Sequence, residues 1–175
     1  MTKKEIRASI KLNKSHYSKN DLINMSVPVI ERLEQTFEFQ KAQCILMYHS
    51  LPDEVFTHEA IERWNGKKSI ILPVVCGDEL ELRKYTRNED MHTGNFGILE
   101  PDSNILTDYS EIDLAVIPGV AFDTHCNRLG RGKGYYDRLL PKLNCPKFGI
   151  CFRFQMLEHI PSEPHDILMD KVIYA

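Results

Sequence analysis

Between Asp113 and Leu140 the chain reads DLAVIPGVAFDTHCNRLGRGKGYYDRLL, and most of its chemistry-bearing residues are gathered there. Gly130, Gly132 and Gly134 alternate with Arg131 and Lys133; Arg128 precedes them, and Tyr135, Tyr136 and Asp137 follow. Glycines let backbone N–H groups come close to an anion, and arginine or lysine side chains add charge-assisted hydrogen bonds to phosphate oxygens. The apolar run from Leu114 to Ile117 leads into Pro118-Gly119, so the loop follows a strand, where α/β sheets hold their ligands. A helix opening near Gly134 would add a favourable dipole worth ~0.3–1 kcal/mol at an exposed site. Two standard nucleotide motifs are absent. Gly134 rather than Ser or Thr follows Lys133, so GxxxxGK[ST] is not met, and glycines at every second residue do not make GxGxxG. On glycine and charge alone, a basic surface turn is as good a reading as a phosphate cradle.

Elsewhere the candidates are spread out. Thr2 followed by Glu5 has capping-box spacing, which predicts a helix from Lys3. Lys3, Arg7, Lys11 and Lys14 recur on it at helical intervals and share one side, while Ile6 and Ile10 lie on another. Taken alone, that side is a solvated cationic stripe.

These residues need elements to hold them. Ser18 and Asp21 predict a second helical start, running through Leu22, Met25, Val29 and Leu33, with Pro28 expected to kink or split it. Cys44 to Tyr48, Ser69 to Val75, Leu114 to Ile117 and Phe148 to Cys151 are short apolar runs. Thr57 to Trp64, stopped by Gly66, and Tyr135 to Leu140 are helical candidates among them. Glu79 to Tyr85 alternates polar and apolar residues, the pattern of an edge or hairpin strand. Buried runs interleaved with helices predict an α/β fold with a mainly parallel central sheet flanked by helices on both faces, in one three-layer domain over 1–175. No repeat or Gly/Ser linker divides the chain.

Composition narrows the classes. With 175 residues, 42% hydrophobic and 27% charged, a sizeable core is expected and wholesale disorder is not. A formal net charge of -3 disfavours a general nucleic-acid partner. No apolar run approaches the ~20 residues of a membrane span. The polar, cationic start does not read as a signal peptide. Five cysteines without CxxC spacing suit reduced thiols, so a cytoplasmic location is expected.

The chain resembles the 5-formyltetrahydrofolate cyclo-ligase family, also called methenyltetrahydrofolate synthetase, along nearly its whole length. The resemblance is carried by KKEIR at 3–7, SLPDEV at 50–55, ILPVV at 71–75, GNFGILEP at 94–101, PGVAFDTHCNRLGRGKGYYDRLL at 118–140 and MDKVIY at 169–174. The 118–140 stretch is the specific one; the others add their order. Cys126 departs from the pattern, since relatives often carry glycine in that turn, and a left-handed backbone there would strain a cysteine.

The resemblance implies an ATP- and Mg2+-dependent conversion of 5-formyltetrahydrofolate, with or without a polyglutamate tail, to 5,10-methenyltetrahydrofolate. It implies that ATP lies between the N-terminal helix and the glycine-rich loop, contacted by Lys3, Arg7, Arg128, Gly130, Gly132, Gly134 and Tyr136. Arg131, Gly132, Lys133, Gly134 and Tyr135 would surround the formyl group and transferred phosphate, with Lys133, Arg131 and Tyr135 as the catalytic set. Asp137 and Asp170 are the implied Mg2+ carboxylates, although alone they read as a first-turn acid favoured by a helix dipole and a loop carboxylate before a strand. Glu54 is the implied pterin carboxylate, able to accept paired N–H donors, and His49 its neighbour. Gly94, Phe96 and Gly97 would lie along the folate, and Phe96 reads equally as core. The formyl oxygen is a poor leaving group, so the implied chemistry phosphorylates it and lets the 10-nitrogen close the ring. That chemistry needs positioning and charge rather than a covalent nucleophile, and no triad is evident. A monomer acting on a small molecule is expected. Two other classes stay open on the residues: a folate carrier without turnover, and a nucleic-acid module using the basic helix and GRGKGYY.

Overall fold

The computed structural model describes residues 1–175. Its first helices begin where their caps place them. Thr2 Oγ1 accepts from the Glu5 N–H at 3.2 Å and Glu5 accepts from the Thr2 N–H at 2.7 Å, opening α1 (Lys3–Lys14). Ser18 and Asp21 make the same reciprocal pair at the head of α2 (Lys19–Glu34). Of the two outcomes expected of Pro28, a split is not found: α2 is continuous through it. It lies on the exposed side near exposed Asn24, so the carbonyl it leaves without a donor has access to water, while Leu22, Val29, Ile30 and Leu33 hold the buried face. A short α3 (Phe37–Lys41), capped by Thr36, follows.

The central sheet has the order β11-β9-β6-β1-β2-β3. Its strands are β1 (Cys44–Leu46), β2 (Ser69–Cys76), β3 (Glu79–Lys84), β6 (Leu114–Ile117), β9 (Lys147–Cys151) and β11 (Lys171–Tyr174). All pairs are parallel except β2 with β3, the hairpin edge expected from its alternation. Side chains alternate between faces. Ile45, Ile70, Leu72, Val116 and Phe148 join the core under α2, α3 and α4 (His58–Trp64). Leu46, Ile71, Ala115 and Ile117 join the opposite core, which includes Leu139 of α5 (Tyr135–Leu139).

That second face is covered unevenly. Besides the five-residue α5 it carries a small sheet ordered β10-β7-β8, formed by β7 (Ala121–Asp123), β8 (Arg128–Leu129) and β10 (Met156–Leu157). Ile6 and Ile10 of α1 pack on this sheet against Ala121, Leu129 and Ile160. The polar stretch expected as one loop after Pro118 therefore contains a hairpin. Asp123 organises its turn, accepting from the N–H groups of His125 and Asn127 at 2.9 Å each and from Ile160 at 2.8 Å. Burial alone would raise the Asp123 pKa, but these bonds and the Asn127 side chain hold it below the usual value. Cys126 sits in that turn at φ 65, the left-handed conformation anticipated for it. A second hairpin, β4 (Met91–Thr93) and β5 (Leu99–Pro101), packs against β2 as a flap. All five cysteines are unpaired, and no helix is long and apolar enough to cross a membrane.

Candidate active site

Beyond the carboxyl ends of β1, β2 and β6 lies a cleft of about 330 Å³. His49 follows β1, Pro73 and Val75 belong to β2, and Pro118 follows β6, which places the cleft where parallel strands deliver their loops. One half is cationic, built by α1 and the glycine-rich loop. The other is apolar, built by β2, β3 and the flap. A side pocket of about 200 Å³, which shares His49, Leu51, Glu54 and Ile98, continues it towards Lys19 and His58.

In the cationic half, nearly every charge has a partner from elsewhere in the chain. Lys3 Nζ lies 3.1 Å from Asp166, and Arg7 Nε donates to the Gly130 carbonyl at 2.9 Å. The side of α1 read as a solvated stripe thus turns two of its cations into the cleft. Arg131 joins Asp53 at 2.8 Å and Glu54 at 3.1 Å, and Asp53 also holds the buried Lys14 at 3.1 Å. Burial works against the Arg131 charge, but Glu54 and Asp53 outweigh it and keep its pKa above the ordinary arginine value. Arg128 is almost wholly inside, its side chain 6% exposed, donating to the Pro118 carbonyl at 3.0 Å and reaching Asp137 at 3.4 Å. Burial pulls its pKa down while Asp137 and the Tyr136 hydroxyl oppose that pull. Its guanidinium lies 5.2 Å from the centre of the Tyr136 ring, and burial pushes the Tyr136 hydroxyl far above its usual range. Lys133 is the exception. It is exposed and forms no ion pair, unlike Arg128 and Arg131 on the same loop.

The glycine alternation has separate causes. Gly132 and Gly134 have φ of 96 and 73, where L side chains are strained, and Gly134 ends the loop as the uncapped start of α5. Gly130 has an ordinary backbone, but a Cβ there would lie 3.1 Å from the Arg128 guanidinium. With five residues, α5 contributes little dipole, so any anion affinity of this loop would have to come from open backbone and side-chain cations. Tyr135 lies under Arg138, which ties α5 to the β2–β3 turn by donating to the Asp78 carbonyl.

The carboxylates divide. Asp137 lines the cleft and Asp170 does not. Asp170 is exposed at the amino end of β11, where its Oδ2 accepts from the Lys147 N–H at 2.7 Å and its own N–H donates to the Lys147 carbonyl at 2.7 Å. That is the end of a parallel pair opposite the cleft, so Asp170 clamps the β9–β11 register and cannot share an ion with Asp137. Asp166, which the sequence reasoning missed, lines the cleft beside Lys3. Both Asp137 and Asp166 support the Arg128 charge. Their oxygens suit Mg2+, which takes one or two protein carboxylates and fills its other positions with phosphate and water.

Glu54 lines the cleft and accepts from the Leu51 N–H at 2.9 Å, which fixes one oxygen of the LPDE turn. His49 is buried and stacks on His58 with ring centres 3.6 Å apart and planes 17° from parallel. His58 Nε2 lies 2.9 Å from the Ser50 carbonyl, so it is the protonated nitrogen. Burial, and then the nearby His58, lower the His49 pKa to about 4, leaving a neutral ring on the cleft wall. Phe96 is not core: it is 60% exposed at the flap tip, lines the cleft, and has φ 60. Lys14, read as part of the solvated stripe, is buried instead, and Asp53 and Glu100 were not singled out although they sit within the LPDEV and GNFGILEP motifs.

A mainly parallel α/β sheet with a half-cationic, half-apolar cleft at its carboxyl edge is the build of an enzyme. The chain belongs to the 5-formyltetrahydrofolate cyclo-ligase family, whose profile matches residues 1–175. A 5-formyltetrahydrofolate cyclo-ligase of Haemophilus influenzae is 30% identical, covering 94% of this chain and 89% of its own. Among solved structures, the 5,10-methenyltetrahydrofolate synthetase of Aquifex aeolicus superposes with a TM-score of 0.88 at 32% identity, covering 99% of this chain and 90% of that one. The Mycoplasma pneumoniae 5,10-methenyltetrahydrofolate synthetase gives 0.79 at 25% identity, covering 99% and 98%.

Proposed function

We propose that this chain, acting as one domain and as a cytoplasmic monomer, converts 5-formyltetrahydrofolate to 5,10-methenyltetrahydrofolate using ATP and Mg2+. ADP and phosphate are released, the formyl oxygen being phosphorylated before the 10-nitrogen closes the ring. The observation that carries this reading is the unpaired Lys133, held between Gly132 and Gly134 in a cleft that Lys3 and Arg7 also line. A free cation beside open backbone can follow charge as it develops on a moving phosphoryl group, whereas cations already paired mainly position it.

Lys3, Arg7 and Arg128 hold the nucleotide phosphates in this reading, with Gly130, Gly132, Gly134 and Tyr136 closing around them. Asp137 and Asp166, released from Arg128 and Lys3 as those cations turn to phosphate, hold Mg2+; the metal supplies charge neutralisation on the phosphate oxygens. Arg131, kept charged by Asp53 and Glu54, lies with Lys133 and Tyr135 around the formyl group. Glu54 accepts N–H donors from the pterin, and neutral His49 gives a flat wall without charge. The apolar half excludes water from the reacting oxygen.

The test is direct. Purified protein is mixed with 5-formyltetrahydrofolate and MgATP, and methenyltetrahydrofolate absorption is followed together with ADP. Stoichiometric appearance of both is expected; folate binding without ATP consumption would instead indicate a carrier.

A further inference from the structure

The apolar half of the cleft holds a carboxylate that the cationic half does not explain. Glu100, in β5, is 4% exposed yet lines the cleft with Val75, Leu80, Phe96 and Ile98. Its Oε1 accepts from the Val75 N–H at 3.2 Å. The nearest cationic candidate is His92, whose Nε2 stands 3.6 Å from Oε2, beyond hydrogen-bond length, and whose Nδ1 is 2.8 Å from Asp102. No lysine or arginine pairs with it. Glu54 is different, since it has both Arg131 and the Leu51 N–H. A carboxylate has about four acceptor positions, and buried ones are normally filled. The flap backbone closes one side of Glu100 so tightly that a Cβ on Gly94 would lie 2.0 Å from Oε2. The side left for donors is the cleft.

We propose that Glu100 is a substrate-contacting residue, accepting N–H donors from the edge of a flat heterocycle seated between the Phe96–Ile98 flap and the Val75–Leu80 strands. The surroundings select this class. Apolar side chains favour the faces of a ring, and a carboxylate without a cation favours neutral paired donors, as in a ring N–H beside an amino group. The inference rests on the folate reading, in which the pterin is that heterocycle and Glu54 and Glu100 divide its donors.

Glu100→Gln keeps an oxygen for the Val75 N–H and removes the charge. Wild type is assayed first: a protein that neither binds nor turns over 5-formyltetrahydrofolate defeats the folate reading, and the Glu100 proposal falls with it. Given an active wild type, 5-formyltetrahydrofolate and ATP are titrated separately into both proteins. The expected result is folate binding weakened by about tenfold to a hundredfold, ATP binding within about twofold, and an unchanged melting temperature. Folate binding like wild type, or equal loss of both ligands with a lowered melting temperature, would overturn the proposal and leave Glu100 as a prop for the flap. Should the variant not fold, the carboxyl resonance of Glu100 in isotope-labelled wild type serves instead. It should shift when 5-formyltetrahydrofolate is added without nucleotide, and an unmoved resonance overturns the assignment.

Discussion

The two halves of the cleft solve opposite problems. In the cationic half Arg131, Lys3 and Arg128 already rest on carboxylates of the same chain, so an entering anion exchanges partners rather than filling a vacuum. In the flap half Glu100 and the exposed ring of Phe96 face the cleft with few partners of their own. Prepaired charges stay charged and aligned at modest desolvation cost, whereas an incompletely satisfied apolar wall gains most when a ligand completes it. Each half also has one non-glycine residue with a left-handed backbone: Cys126 in the hairpin behind the loop, and Phe96 at the flap tip. One is strain without a visible task, and the other aims an aromatic ring at the cleft.

The sharpest way to break this contrast is Lys133→Ala. If the unpaired lysine acts on the transferring phosphate, turnover falls by about 10²–10³ with the melting temperature unchanged. Turnover within a few-fold of wild type would reduce it to a surface charge. Next come the carboxylates. Asp137→Asn and Asp166→Asn should each raise the Mg2+ needed for half-maximal turnover by about tenfold or more, and should combine non-additively. Asp170→Asn should leave Mg2+ dependence alone. Reversed ranks of Asp166 and Asp170 would refute the assignment made from position.

The two strained residues give smaller and more discriminating effects. Phe96→Gly removes both the strain and the ring, so 5-formyltetrahydrofolate binding should weaken by roughly tenfold, in line with the loss of a stacked aromatic, while the melting temperature holds or rises. Cys126→Gly should stabilise by ~1 kcal/mol, raising the melting temperature by roughly 2–4 °C, with turnover unaltered. If Phe96→Gly binds folate like wild type, the flap is ordinary strained loop and the contrast between the halves disappears.

What was legible in the sequence was local. Capping residues announced α1 and α2 because each cap is satisfied within three positions, and apolar runs announced strands because burial on both faces leaves no alternation. Pro28 does not split α2 because its cost depends on which side of the helix meets water, a tertiary matter. The β7–β8 hairpin was hidden because its turn is organised by Asp123 together with Ile160, far along the chain. Among site residues, the glycine loop and Glu54 were visible through motif and resemblance. Asp166 was not, because nothing in local spacing distinguishes it from Asp170, four positions on. Lys3, at the other end of the chain, marks the difference. Glu100 was hidden for the same reason, its burial being set by Val75 and the flap.

The Lys3–Asp166 pair joins positions 163 residues apart. Loop closure over such a span is entropically costly and rewards the chain only once both ends are present. On a ribosome, the central strands β1, β2 and β6 can pair, and α1 can pack through Ile6, Ile10 and Arg7 on Ala121, Leu129 and Gly130, before Asp166 leaves the exit tunnel, but the Lys3–Asp166 contact cannot form until then. The Lys3 side of the cleft is therefore fixed later than the glycine-rich loop it faces.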